Sequence, residues 1–467
     1  MPSSPSSPSC AIRITVSPSS SPTTARISMR VLYITLGCAK NEVDTDRMRA
    51  LLGAAGFEEA RQVSEADIAL VNTCSFLEAA TAESIETTLM LAAEAARGIR
   101  TVPIIMCGCV PSRYAEGLAE ELPEVSAFVR HDEEDGIVEV VRRVLGIDPA
   151  PYMPRTVLRT IEGPSAYLKI SEGCDRFCAF CAIPYIRGRY HSRALGDLLD
   201  EARALLEGGV RELVLIGQDT GIWGSDCAPG LSLADLLREL DALAQPYHAW
   251  IRVLYLQPEG MTDDLIAAIR DLECVLPYID IPIQHCSARV LEAMNRSGSA
   301  ASLHDLFKRL RTEIPGMVLR TTAMAGFPGE TDDEADELAS FVRDEGFDYC
   351  SVFSFSAEEG TRAARMDGQV PEDTKLERTQ RLVDIAERQG FSATASHIGE
   401  VCAVIIDGIE QTDDGCELIG HAWFQAPDSD GAVHIEQGEA AVGDIVSVEL
   451  VDAFCYEMVG RIVEIRE

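Results

Sequence analysis

Long apolar runs are missing. No stretch of the 467 residues approaches the roughly 20 consecutive apolar residues of a membrane-spanning helix, so no membrane association is expected. Positive charge is also scarce, with 40 Lys and Arg against 76 Asp and Glu and a formal net charge of −36. Such a field repels a nucleic-acid backbone. It argues against strong direct nucleic-acid binding and suits a basic protein partner. A continuous apolar segment is absent from residues 1–28 too, where ten Ser and five Pro accompany two Arg and no acid. That excludes a secretory signal. A disordered tail over 1–29 is expected, or a start upstream of Met29, with a transit peptide as the other reading, and the chain is expected to be cytoplasmic.

What is present reads as a globular chain of two to four domains, 46% hydrophobic and 25% charged. RVLYITLGC (30–38), DIALVNTCS (67–75) and VPIIMCGC (102–109) are short strand-like runs between Ala/Glu-rich stretches of helical period. They predict an N-terminal domain over 30–146 built on an open parallel α/β sheet. A Pro-studded linker (147–163) follows. Over 164–391 the strand–helix unit recurs six times, through AYLKIS, ELVLIG, AWIRVLYL, YIDIPI, VLRTTAMAG and YCSVFSF. Six units are too few for a closed eightfold barrel, so a partial (βα)6 barrel is expected. A helix ending near Gly390 leads to 392–467, where four short strands suggest a small β-barrel carrying a net charge of −14.

Fifteen cysteines without a secretory signal point to metal, redox or core roles. Cys174, Cys178 and Cys181 are spaced C-x3-C-x2-C directly after the first barrel strand. A compact loop of that kind places three thiolates round one soft metal centre and leaves a four-iron cluster one iron open to chemistry. The competing reading, a structural zinc site, wants a fourth Cys or His, and the next histidine is His191, ten residues on. Cys38, Cys74 and Cys109 form a second set. Each closely follows a strand of the N-terminal sheet, where ligands of open α/β sheets bind. Strand alternation makes Cys107 a rival to Cys109, and the glycine before Cys109 favours the later one. The other nine cysteines read as packing or surface residues. Gln218, Asp219, Gln284 and His285 fall at strand C-terminal ends, where barrel sites are built, and Gly326 lies in a Gly/Pro turn, GFPGE, that permits close approach of a ligand.

The C-x3-C-x2-C loop with Phe180, on a six-unit barrel, resembles the radical S-adenosylmethionine superfamily. LGCAKN (36–41), VNTCSF (71–76) and GCVPSRY (108–114) are similar to its methylthiotransferase family, and the match continues through the C-terminal barrel, the TRAM domain. The resemblance implies two [4Fe–4S] clusters, one on Cys174, Cys178 and Cys181 that cleaves S-adenosylmethionine, and an auxiliary one on Cys38, Cys74 and Cys109 that presents sulfur. It also implies a one-electron donor such as flavodoxin or ferredoxin. Strand-end and turn position, apart from the resemblance, make Gln218, Gln284 and Gly326 candidate cofactor contacts, with a strand cap, solvated loop or plain turn as the competing reading. Tyr185, Arg187, Gly188 and Arg193 match family positions without a derivable role.

Within the family, IGQDTGIWG (216–224), the Gln284-His285 pair and HAWFQAPDSDGAV (421–433) are closer to the protein-modifying branch, which acts on an aspartate of small-subunit ribosomal protein S twelve. The acidic C-terminal module favours the same basic substrate. Ala39 and LQPEGMTDD (256–264) depart from that pattern. The alternatives are methylthiolation of a tRNA adenosine by the same chemistry and, more remotely, a non-enzymatic zinc-stabilised ribosome- or RNA-binding module.

Overall fold

The computed structural model describes residues 29–97, 101–114, 117–147, 159, 161, 163–227, 230–412 and 415–465. The Ser/Pro-rich tail and most of the linker lie outside the described residues. In the N-terminal domain, strands β1 (Arg30–Thr35), β2 (Glu58–Glu59), β3 (Ile68–Thr73), β4 (Ile104–Gly108) and β5 (Val125–Arg130) form an all-parallel sheet of order β2-β1-β3-β4-β5. Strand β3 is buried along its whole length, as a central parallel strand covered on both faces must be. The topological switch lies between β1 and β3, where open α/β sheets present a ligand crevice.

The central domain opens with β6 (Ser165–Lys169) and the short hairpin strands β7 (Ser171–Glu172) and β8 (His191–Ser192). It continues through β9 (Glu212–Ile216), β10 (Trp250–Val253), β11 (Val275–Asp280), β12 (Val318–Ala325) and β13 (Tyr349–Ser354). Its sheet, β13-β12-β11-β10-β9-β6, is six-stranded and parallel throughout. Period-two alternation divides its side chains. Leu213, Leu215, Ile251 and Ile279 pack under the helices, whereas Val214, Ile216 and Tyr278 share a cluster with the C-terminal barrel.

That barrel is closed by five strands: β14 (Val401–Thr412), β15 (Gly415–Ala422), β16 (Val433–Gln437), β17 (Ile445–Phe454) and β18 (Glu457–Ile465). Strand β15 has no counterpart in the sequence reading, because Gly415 and Gly420 break its apolar run. Gly420 is required there: a Cβ would fall 2.2 Å from the Ile405 carbonyl oxygen across the ladder. The preceding helix, Glu372–Ser396, runs past Gly390 where the sequence suggests an end. Gly390 makes room for the Tyr456 ring, whose Cε1 would lie 2.1 Å from an added Cβ.

Polar groups fix the barrel to the sheet. Arg252 donates from Nε to Glu212 Oε1 at 2.6 Å and from Nη1 to the Trp423 carbonyl at 3.0 Å. His421 contacts Glu212 through Nε2 and Asp407 Oδ2 through Nδ1 at 2.7 Å. Burial pulls the His421 pKa down, but the Glu212 and Asp407 carboxylates more than reverse this and hold it at about 9. A pKa raised on folding adds stability that is complete below the unfolded value and disappears as pH rises through the folded one. Thermal stability should therefore decline between about pH 6.5 and pH 9, by on the order of 3 kcal/mol if this histidine dominates. His421→Gln should flatten that slope in a pH series of melting curves. A slope unchanged in the variant would exclude the assignment.

Candidate functional site

Three neighbouring strands of the first sheet end in cysteines. Cys38 follows β1, Cys74 follows β3 and Cys109 follows β4. Adjacent strands stand about 4.8 Å apart, so residues distant in sequence arrive side by side. Two glycines allow the approach. Gly37 (φ +103°) would place a Cβ 2.6 Å from Cys74 Cβ, and Gly108 (φ +88°) would place one 2.2 Å from Asn72 Oδ1. Gly108 also turns the chain so that Cys107 stays in the core while Cys109 starts the next helix. Cys109 packs against Ala182 and Ile186 of the central domain.

Ala182 directly follows Cys181 of the second cysteine set, and Ile186 lies five residues on. The loop from Cys174 to Cys181 is held by Cys181 N–H donating to Cys178 O (3.0 Å), Ala179 N–H to Met294 O (2.8 Å) and Asn295 Nδ2 to Arg176 O (2.8 Å). Phe177 within it adopts φ +47°, a conformation costing about 1–3 kcal/mol for a residue with a side chain. Arg296 Nη1 lies 3.8 Å from Cys178 Sγ. The structure thus brings all six cysteines to the junction of the two domains.

The donor sets fit iron–sulfur clusters better than a single ion. Each trio offers three sulfurs, and among the described residues no three His, Cys, Asp or Glu side chains converge on a point that would hold one metal ion. Thiolates that each bind a different iron of one cluster need not converge on a single point. Burial pushes the Cys109 and Cys174 thiols up to about 11 and Cys181 to about 12. Cys74 is also raised, by burial first, and nearby Arg187 acts against the rise at both Cys74 and Cys109. Beside the second trio, Ser171 Oγ, Gln218 Oε1 and Asp219 Oδ1 are buried without a hydrogen-bond partner. Buried polar atoms are normally paired, so these three fit a small polar ligand.

The residues expected to contact a cofactor are placed differently from one another. Gln218 donates from Nε2 to Glu172 Oε1 at 2.8 Å. Gln284 (φ +67°) bridges to β12 through backbone bonds to Thr322 and Met324. Gly326 faces the Lys375 stem, whose Cγ would lie 2.4 Å from an added Cβ, and its N–H donates to Glu330. His285 is wholly buried; burial lowers its pKa to about 4, so the ring is neutral, and Nε2 makes no hydrogen bond although Glu330 Oε2 stands 3.7 Å away. Asp219 accepts from Arg176 Nε at 2.6 Å.

A buried charge network, missed by the sequence reading, closes the junction. Arg187 Nη1 donates to Asp44 Oδ2 (2.7 Å) and Glu172 Oε2 (3.3 Å), and Nη2 donates to Asn41 Oδ1 (2.5 Å). Lys169 pairs with Asp44 and with Glu172 (2.7 Å). Stranding one partner of such a pair costs about 3–5 kcal/mol. On the other side of the junction, Arg113 meets Glu358 at 3.3 Å. Asn41 belongs to the motif LGCAKN and Arg187 matches a family position, but their meeting across 146 residues leaves no spacing signal.

Comparison with known proteins identifies these parts. Residues 30–130 match the model of uncharacterized protein family UPF0004, 168–342 the radical SAM superfamily and 398–463 the TRAM domain. The chain is 42% identical over 447 residues to the ribosomal protein uS12 methylthiotransferase RimO of Geotalea uraniireducens, covering 94% of this chain and 99% of that protein. It is 41% identical to the protein of the same name from Geobacter sulfurreducens, over 93% and 98% of the two chains. The chain belongs to the RimO methylthiotransferase family. It is accordingly a radical SAM methylthiotransferase, and the RimO pattern extends through all three folded parts. Among solved structures, the radical S-adenosylmethionine methyltransferase TsrM of Kitasatospora setae, with cobalamin and a [4Fe–4S] cluster bound, superposes with a TM-score of 0.55 at 14% identity, covering 83% of this chain and 82% of that one. That likeness concerns the fold. No helix among the described residues is long and apolar enough to cross a membrane.

Proposed function

We propose that this RimO-family enzyme methylthiolates the β-carbon of an aspartate in ribosomal protein uS12. The observation that carries the reading is the contact of Cys109 with Ala182 and Ile186, one and five residues beyond Cys181, which supports a single junction shared by the two trios. Cys174, Cys178 and Cys181 would hold the cluster that binds S-adenosylmethionine, and Cys38, Cys74 and Cys109 the auxiliary cluster. When bound, these groups supply a 5′-deoxyadenosyl radical for hydrogen abstraction and a sulfur for transfer. The protein's own part is to orient and shield. Arg296 donates toward Cys178, and the unpaired Ser171, Gln218 and Asp219 atoms offer polar contacts. Gln284 and Gly326 complete the proposed cofactor contacts at the ends of their strands.

The net charge of −36, with −14 in the C-terminal module, favours a Lys/Arg-rich protein over a polyanion. The proposed setting is the cytoplasm, with flavodoxin or ferredoxin as one-electron donor and no strong direct nucleic-acid contact. Anaerobic incubation with S-adenosylmethionine and dithionite, offering uS12 and tRNA in parallel, tests this. A methylthio group is expected on the uS12 aspartate by mass spectrometry. Modification of tRNA alone would overturn the substrate assignment.

A further inference from the structure

Arg187, in the segment IPYIRGR after the second cysteine loop, reaches from the central domain into the first. It is 2% exposed at the side chain. Its Nη2 rests on Asn41 Oδ1 at 2.5 Å, and that oxygen is 3.9 Å from Cys109 Sγ. The Asn41 amide nitrogen in turn donates to Leu36 O (2.7 Å) and Thr73 O (2.9 Å), the carbonyls that immediately precede the Gly37-Cys38 turn and Cys74. One side chain thereby braces all three cysteine-bearing strand ends. It also places a fixed cation at the trio, while its partner carboxylates, Asp44 and Glu172, sit on its Nη1 side.

We infer that Arg187 is a positioning residue whose charge, held through Asn41 beside Cys38, Cys74 and Cys109, raises the reduction potential of the cluster they bind. The inference rests on the proposed assignment of that trio. A buried cation is little screened by solvent and salt, and it favours the state with one more electron. Lys169, with Asp44 and Glu172, balances the rest of the network, so removing the Arg187 charge leaves an uncompensated negative one.

The test uses the full chain carrying Cys174→Ala, Cys178→Ala and Cys181→Ala, so that one cluster remains, titrated with dithionite under EPR. Each cluster takes up one electron and no proton. Arg187→Gln should shift the midpoint to more negative values at unchanged iron per chain, and Arg187→Lys should restore most of the shift. Asp44→Asn should move it the opposite way. Arg159→Gln, which breaks another tie between the domains, to Asp46 further along the first helix, should leave it in place. An unshifted midpoint in Arg187→Gln, or an equal shift in Arg159→Gln, would overturn the inference. If Arg187→Gln loses its iron, Asp44→Asn decides by the same criterion, a positive shift supporting the inference and none overturning it. Absence of iron from the parent triple variant would instead refute the cluster assignment, and the inference with it.

Discussion

Replacing Cys174, Cys178 and Cys181 together with alanine is expected to abolish 5′-deoxyadenosine formation and to halve the iron, from about eight to about four atoms per chain. The loop that carries them is fixed by backbone bonds to Met294 and by the Asn295 side chain rather than by the thiols themselves. The fold should therefore survive, and melting curves should change little. Because the three act as a unit, any single replacement should cost nearly as much activity as all three. Iron analysis with chromatographic detection of deoxyadenosine checks this. Turnover persisting in the triple variant would place the radical chemistry elsewhere.

The second large effect separates the two trios. Alanine at Cys38, Cys74 and Cys109 should again remove about four irons per chain. Deoxyadenosine should still form, because Cys174, Cys178 and Cys181 and the polar atoms beside them belong to the central domain. Methylthio transfer to uS12 should fall to the detection limit. Cys109 packs with Ala182 and Ile186, so some loss of stability is expected, on the order of 1–2 kcal/mol for truncating a buried thiol. Loss of both deoxyadenosine and product would mean that the N-terminal trio supports the fold of the central site rather than the transfer step. Product formed at the normal rate would remove its role altogether.

Local pattern carried much of this architecture. Parallel strands buried on both faces announce themselves as continuous apolar runs, and the ends of β1, β3 and β4 and of the six central strands lay within a few residues of the expected positions, whereas the edge strands β2 and β5, short or partly exposed, had no counterpart in the sequence reading. Cys38, Cys74 and Cys109 were recognisable as a set because strand-end placement survives wide separation in sequence. Other features were hidden for physical reasons. Strand β15 is built round Gly420, which a pattern search reads as a break but the ladder needs for a close carbonyl. Gly390 looks like a helix stop, yet the Tyr456 ring fills the space over it and the helix continues. The junction network of Asp44, Glu172, Lys169 and Arg187 draws partners from two domains, so no periodicity could disclose it. At Gly326 the structure adds a second reason for the glycine that the sequence does not show, the stem of Lys375, which an added Cβ would meet at 2.4 Å.

The most direct test is anomalous iron scattering from crystals of the anaerobically reconstituted full chain. Two iron peaks are predicted at the junction of the first two domains, one held by Cys38, Cys74 and Cys109 and the other by Cys174, Cys178 and Cys181. A single peak, or a second one bound outside that junction, would contradict the account.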